Sequence, residues 1–430
     1  MQTALMRRAD PRFVGYIVAR GLSYVGDNVW MIAVGWSAAQ LGDPKLTGIV
    51  LAATGIPRAV FMLVGGVVAD LRGPRRVMLA ADVLAGATAL VGAGLTAGGE
   101  PPAAWLLITL GLAFGTIDAF YLPSANSYLA ALLPHAELPR GAAVRQFTRS
   151  VSEALGRAAG GVLVAAGGFA LAAFVNGTTF LVCFAILLFV RPRFMIVRPK
   201  WDTGVKEALT DGLRYVVGHP LIRGLAVITL ILNMVAIPVE TIGVVLKAQD
   251  AGWGPSGYGL VAGFLAGGLI AGGLLGAIVE APKRAGFGLA LWIAAGIPGF
   301  GGLIFATDML TVCAAAAWWS FCLGPCNAIL SGLLLTETRP DVLGRVQSVV
   351  TVVSSAMTPL GIAAFGVFVG VAGLGVVGVV CFGCVAATTV WMLVSPAISR
   401  AEVHDHHDDH DDQDDHDGPG NAPARVSQSD

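Results

Sequence analysis

The chain alternates long apolar blocks with short polar breaks. A block of about 20 mainly apolar residues is long enough to cross the hydrocarbon of a bilayer as a helix. Such blocks run near 13–40, 47–69, 76–97, 103–128, 143–166, 169–190, 221–246, 257–279, 285–306, 309–334, 346–370 and 374–397. The pattern predicts an all-α polytopic membrane protein with twelve transmembrane helices. The block from Phe13 to about Leu41 exceeds the apolar core of a cleaved signal peptide and is expected to stay as the first span.

The breaks carry the organisation. The sharpest is Gly65-Gly66-Val67-Val68-Ala69-Asp70-Leu71-Arg72-Gly73-Pro74-Arg75-Arg76, a tight basic turn between the second and third blocks. The longest is the polar link at 191–220, with six blocks on either side. The expected division is an N-terminal segment 1–12, a six-helix half 13–190, the link 191–220, a second six-helix half 221–397, and a tail 398–430. Basic residues fall at Arg7, Arg8 and Arg12, in the 65–76 turn, at Arg140, through the link, at Lys283 and Arg284, and at Arg339 and Arg345. The alternate breaks hold almost none, only Lys45 and Lys247. Lysine and arginine are retained on the cytoplasmic side, so both termini are expected there. The halves echo each other. Gly66 and Asp70 before Arg75-Arg76 return as Gly276 and Glu280 before Lys283-Arg284, and Pro123 in the fourth block returns as Pro325 in the tenth. A repeat at half the chain length is a common transporter plan, with the site where the halves meet.

Composition agrees. The 430 residues are 55% hydrophobic and 13% charged, where a soluble domain carries about 25% charge. The net charge of −1 gives no reason to expect a nucleic-acid partner. Six cysteines all lie in apolar blocks and read as small packing residues. Glycines at four-residue spacing, as in Gly263, Gly267, Gly268, Gly272, Gly273 and Gly276, suit close helix approach in lipid. Nucleophile–base pairs and phosphate-cradling loops do not appear, so no enzymatic or ATP-driven chemistry is expected.

Twelve blocks in a 6+6 order, a mid-chain link and the 65–76 turn together resemble the major facilitator superfamily over roughly 12–398. Ser23-Tyr24-Val25-Gly26-Asp27, Asp118-Ala119-Phe120-Tyr121-Leu122-Pro123 and Leu343-Gly344-Arg345-Val346 are similar to its drug and siderophore exporter branch, which includes macrolide, multidrug and enterobactin exporters. Leu71 and Pro74 stand where the family usually has basic residues, and Arg157 stands where an antiporter glycine motif has proline. The resemblance implies alternating access about a central cavity in a multi-pass protein of the cell (inner) membrane. It implies a gating role for Gly66, Asp70, Gly73, Arg75 and Arg76, with Asp70 meeting the N-terminus of the eleventh helix. It implies proton-coupled efflux of small amphiphilic molecules such as drugs or siderophore-like compounds. The expected partners are the bilayer and a small-molecule substrate, the protein being monomeric, with a proton gradient and no cofactor.

Charges inside a bilayer are costly and mark function. Asp27 and Arg58 fall mid-span in antiparallel neighbours, which suggests a pair, with Arg20 two turns before Asp27. Arg149, Glu153 and Arg157 form one stripe at i, i+4, i+8. Asp118 falls near the cytoplasmic mouth, and Glu240 follows Pro238 and Asn233 in the seventh block. Asp82, six residues past Arg76, reads as interfacial. Trp318 and Trp319 offer rings to a substrate or to packing. The coupling or substrate residues are therefore sought among Asp27, Arg58, Asp118, Glu153, Arg157 and Glu240. The tail from Val403 to Asp417 sets His404, His406, His407, His410 and His416 among aspartates, and reads as disordered. Imidazole suits nickel, cobalt, zinc or copper. Export of a divalent metal is therefore an alternative, and a non-transporting membrane scaffold is an alternative of another class.

Overall fold

The computed structural model describes residues 10–194, 205–279, 282, 284–339, 342–399 and 401. Local chemistry sets the helix ends. Asp10 accepts from the Arg12 N–H at the head of α1 (Pro11–Ala39), and Asp43 accepts from the Lys45 N–H at the head of α2 (Pro44–Arg72). In both, proline takes the first turn, where its missing N–H costs nothing. Gly73, at φ +85°, turns the chain directly into α3 (Pro74–Leu95), whose first residue is again proline. After α4 (Ala104–Ala130) comes α5 (Leu138–Phe189). It breaks at Gly167-Gly168, where Gly168 adopts φ +65°, so its limbs 138–166 and 169–189 are two crossings.

The polar link contains a helix, α6 (Val205–Gly218), which block length alone does not predict. Beyond it, α7 (Pro220–Pro238) passes through a π-helical turn, Val239–Gly243, into α8 (Val244–Asp250), together one crossing. The remaining crossings are α9 (Gly254–Ile278), α10 (Ala285–Phe305), α11 (Met309–Glu337), α12 (Leu343–Ala372) and α13 (Leu374–Val394). A short α14 (Pro396–Ser399) follows. Counting both limbs of α5, the helices among the described residues make twelve crossings. The repeat partner of the 65–76 turn lies partly outside the described residues, which omit Glu280 and Lys283. His404, His406, His407, His410 and His416 also lie outside them.

Small residues set which helices touch. Gly156 and Gly160 bring the first limb of α5 onto Val25 and Val29 of α1, and Gly115 and Gly65 bring α4 and α2 backbone to backbone. In the second half, Gly268 and Gly272 seat α9 against Ala317 and Phe321 of α11. The halves meet along two seams. Gly48 faces Gly366 and Gly55 faces Pro359 between α2 and α12, while Gly161 faces Gly259 between α5 and α9. These seam contacts between the halves fall in the part of the molecule remote from the 65–76 turn, called here the far end. There the core is shared, since Ile32 and Ala39 of the first half pack in the core of the second. At the opposite, turn end the cores are separate. One gathers Tyr16, Met78, Tyr128 and Leu187, and the other Val216, Ile222, Val346 and Val349. The molecule is thus closed at the far end and split at the turn end.

Candidate functional site

Two groups of charged side chains lie within the bundle. The first sits on the seam between halves. Arg157, on α5, donates through Nε to Asn28 Oδ1 of α1 at 3.2 Å. Across the seam its electrostatic neighbours are Glu240 and Tyr258. Glu240 accepts from the Trp319 indole N–H at 2.7 Å. Its position follows from Pro238, which lacks an N–H and cannot continue the α-helical ladder. The chain answers with the π turn that carries Glu240, and the Thr241 hydroxyl in it donates back to the Ile237 carbonyl of α7 at 2.8 Å. π turns of this kind are frequent at functional positions. Two turns before Glu240, Asn233 accepts from the Thr358 hydroxyl of α12 at 3.2 Å.

The second group lies inside the first half. Among the described residues Asp27 has no hydrogen bond or ion pair; its charged neighbours are Asp118, Arg20, Asp82 and Arg149. Arg58 is a neighbour of Asp118. The expected Asp27–Arg58 pair is therefore not formed. The reason is packing: α2 rests on α4 through Gly65 and Gly115, which sets Arg58 beside Asp118, while α1 rests on α5. Of the α5 stripe, only Arg149–Glu153 closes, at 2.7 Å, because Arg157 turns toward Asn28. Asp82, expected near the interface, is turned into the bundle. It is 0% exposed, with Arg20 as its charged neighbour. Arg20 and Asp82 are the charged residues that the sequence pattern undervalued. Their signal was present, since both are ionisable residues inside apolar blocks.

In the 65–76 turn, the side chains divide. Arg75 donates to the carbonyls of Val190, Leu187 and Leu188 at 2.9, 3.1 and 2.8 Å, capping the second limb of α5. A cation there answers the unpaired carbonyls and the dipole of the helix end. Arg76 is exposed, and Asp70 is half-buried with no hydrogen bond or ion pair among the described residues. Gly66 faces open space, and it is Gly65 that makes the close approach, to Ala119. Arg345, near the head of α12, pairs with Asp211 of α6 at 3.6 Å. The tandem tryptophans also divide. Trp319 is 0% exposed against Phe300, whereas Trp318 is 48% exposed. Trp318 borders an open apolar groove of about 690 Å³ between α5, α9 and α11. Among the described residues, no cluster of three or more histidine, cysteine, aspartate or glutamate side chains could hold a metal.

This arrangement has a family. The sequence model of the Major Facilitator Superfamily matches residues 16–362. The chain belongs to the Major Facilitator Superfamily. Within it, the chain is 26% identical over 372 residues to the multidrug efflux pump Tap of Mycobacterium tuberculosis, covering 82% of this chain and 86% of that protein. It is 25% identical over 325 residues to the uncharacterized MFS-type transporter YkuC of Bacillus subtilis, covering 71% and 72%. Among solved structures, the nucleoside transporter NupG superposes with a TM-score of 0.68 at 12% identity, covering 89% of this chain and 98% of that one. The xylose transporter XylE of E. coli, in an inward open conformation, gives 0.62 at 14% identity, covering 91% and 98%. At those identities the superposition speaks for the fold. As a superfamily member the protein is a multi-pass membrane transporter, and its family's members are transporters rather than enzymes.

Proposed function

We propose that this superfamily member is a proton-coupled exporter of small amphiphilic molecules, working by alternating access in the cell membrane. Its turn end faces the cytoplasm, so the split at that end is the loading state. Arg157 carries the reading: a cation on one half, held by Asn28, faces Glu240 and Tyr258 on the other. A charge pair on the moving seam is where a proton can change the affinity of the halves for each other, because the pair is worth most when both members are charged and dry. The likeness to a protein named as a multidrug efflux pump supports an exporter's substrate range. In everted vesicles energised with a proton gradient, the wild-type protein is expected to accumulate amphiphilic drugs. Glu240→Gln, which keeps the bond from Trp319 and removes the charge, is expected to bind drug but to lose gradient-driven accumulation. Full accumulation by Glu240→Gln would refute the role given to this pair.

A further inference from the structure

The transport reading makes no use of Arg20 and Asp82, the most thoroughly buried opposite charges in the described chain. Arg20, on α1, is 2% exposed. Its guanidinium lies over the rings of Tyr24 at 4.2 Å and Tyr121 at 4.7 Å, and its Nε has no hydrogen-bond partner. Asp82, on α3, is 0% exposed, and neither carboxyl oxygen has a hydrogen-bond partner among the described residues. Arg20 and Asp82 are electrostatic neighbours, yet they stop short of an ion pair. The wall around them is completed by Cys183 on the second limb of α5, whose thiol donates to the Ala19 carbonyl at 2.9 Å.

The two residues are treated differently by their surroundings. Two aromatic faces compensate the cation. A carboxylate at Asp82 has only the charge of Arg20 and the hydroxyl of Tyr121 near it, and neither closes an ion pair or hydrogen bond with it; an unpaired, unsolvated carboxylate is among the most costly groups a protein interior can hold. A neutral carboxyl needs no such partner. The titratable and charged groups facing this place are Tyr16, Arg20, Tyr24 and Asp27 from α1, Asp118 and Tyr121 from α4, and Cys183 from α5. Arg58 of α2 acts through Asp118, and Arg149 of α5 lies over the Tyr24 ring at 5.7 Å.

We propose that Asp82 is a proton-binding residue of the transport cycle, exchanging its proton for an ion pair with Arg20. In the state split at the turn end, Asp82 carries the proton and Arg20 rests on the tyrosines. When the Asp82 O–H bond breaks, the proton passes to water at the turn end. The electron pair stays on the carboxylate, and Arg20 leaves the rings to meet it. That movement shifts α1 against α3 and α4. Since α1 also bears Asn28, which holds Arg157, the shift reaches the seam between the halves. Arg20 is a positioning residue in this scheme, and Asp82 the proton carrier.

The inference rests on proton coupling, and its test separates the two. Infrared difference spectra of the purified full-length protein between acidic and alkaline buffer report protonated carboxyl groups directly, without substrate. The wild type is expected to show a carboxylic-acid band that Asp82→Asn removes and that Asp27→Asn and Asp118→Asn leave in place. In proteoliposomes, Asp82→Asn is expected to keep drug counterflow and to lose gradient-driven accumulation by roughly tenfold, the size of a typical coupling between sites. Arg20→Lys keeps the charge without the flat stacked contact, and is expected to shift the pH midpoint of the Asp82 band. A band that survives Asp82→Asn, or full accumulation by that variant, would overturn the proposal. Should Asp82→Asn not fold, an unmoved midpoint in Arg20→Lys would overturn it. A titrating Asp82 band in a protein that moves no protons with drug would leave the proton site standing and refute the coupled transport.

Discussion

The far-end closure has a measurable hinge in Gly161 and Gly259. A Cβ at Gly259 would lie 2.7 Å from Gly161 Cα, 2.8 Å from the Arg157 carbonyl oxygen and 2.9 Å from Gly161 N. All three are backbone atoms, so no side chain can rotate away. Gly259→Ala therefore forces α5 and α9 apart at the far end, and the cost falls only on the state in which that end is closed. Overpacking by one methyl typically costs about 1–3 kcal/mol. A penalty of about 1–3 kcal/mol on one of two states raises the population of the other by about 5–150-fold. Spin labels on exposed residues report it: Arg76 with Gln347 across the turn end, and Glu100 with Asp250 across the far end. Gly259→Ala is expected to shorten the first distance and lengthen the second. Gly48→Ala, whose Cβ would meet Gly366 Cα at 3.0 Å on the other seam, is expected to act in the same direction. If both variants fold and neither distance moves, the two glycine seams do not close the far end, and the argument fails.

Three further outcomes follow from local geometry. Arg75→Ala removes three hydrogen bonds to the end of α5 and is expected to cost about 2 kcal/mol, the upper range for a cation at a helix C-terminus; thermal unfolding in detergent measures it, and Arg75→Lys should recover part. At the head of α11, the hydroxyl and N–H of Thr311 hold the Asp308 carboxyl below its usual range. This cap therefore contributes above the unfolded-state value of about 4 and is lost as pH falls through the lower folded value; in acid melts, Asp308→Asn should show less of that loss. Deleting 403–417 is expected to leave drug efflux unchanged, and a fall in nickel or cobalt tolerance of the deletion strain would move metal export ahead of drug export.

The helices were legible because each is encoded locally. Apolar block length, proline at the first turn and an aspartate cap define α1 and α2, and the break at Gly167-Gly168 falls in the gap between the fifth and sixth blocks. Lateral neighbours were not legible. Depth along a helix puts Asp27 level with Arg58, but rotation decides which residues meet, and rotation is set by glycine contacts between helices distant in sequence. The same gap hid Asp82: six residues past Arg76 is shallow along the axis, yet its face of α3 turns into the bundle, where it is fully buried. The helix α6 was missed for a different reason. It is amphipathic and too short and polar to register as a block. It is anchored by Gly212 and Val216 against Arg345 and Val349 of α12, contacts that exist only in the folded chain.

Those contacts bear on the 65–76 turn. If the turn works as a latch, one of its charges must be able to cross between the halves. Arg75 cannot be that charge without uncapping α5 in its own half. Arg76 and Arg72 are exposed. Asp70 is half-buried, has no partner in this state, and carries the sign that a helix N-terminus favours. The obvious receiver, the head of α12 with Arg345, is already occupied by Asp211 of α6 at 3.6 Å. Both aspartates cannot hold Arg345 equally in one conformation, and Asp211 also meets Arg214 at 3.8 Å, so it keeps a partner when it lets go. The link helix then does more than join the halves. In such a latch it supplies the anion that satisfies α12 while the turn end is open, and Asp70 would supply it only once that end closed.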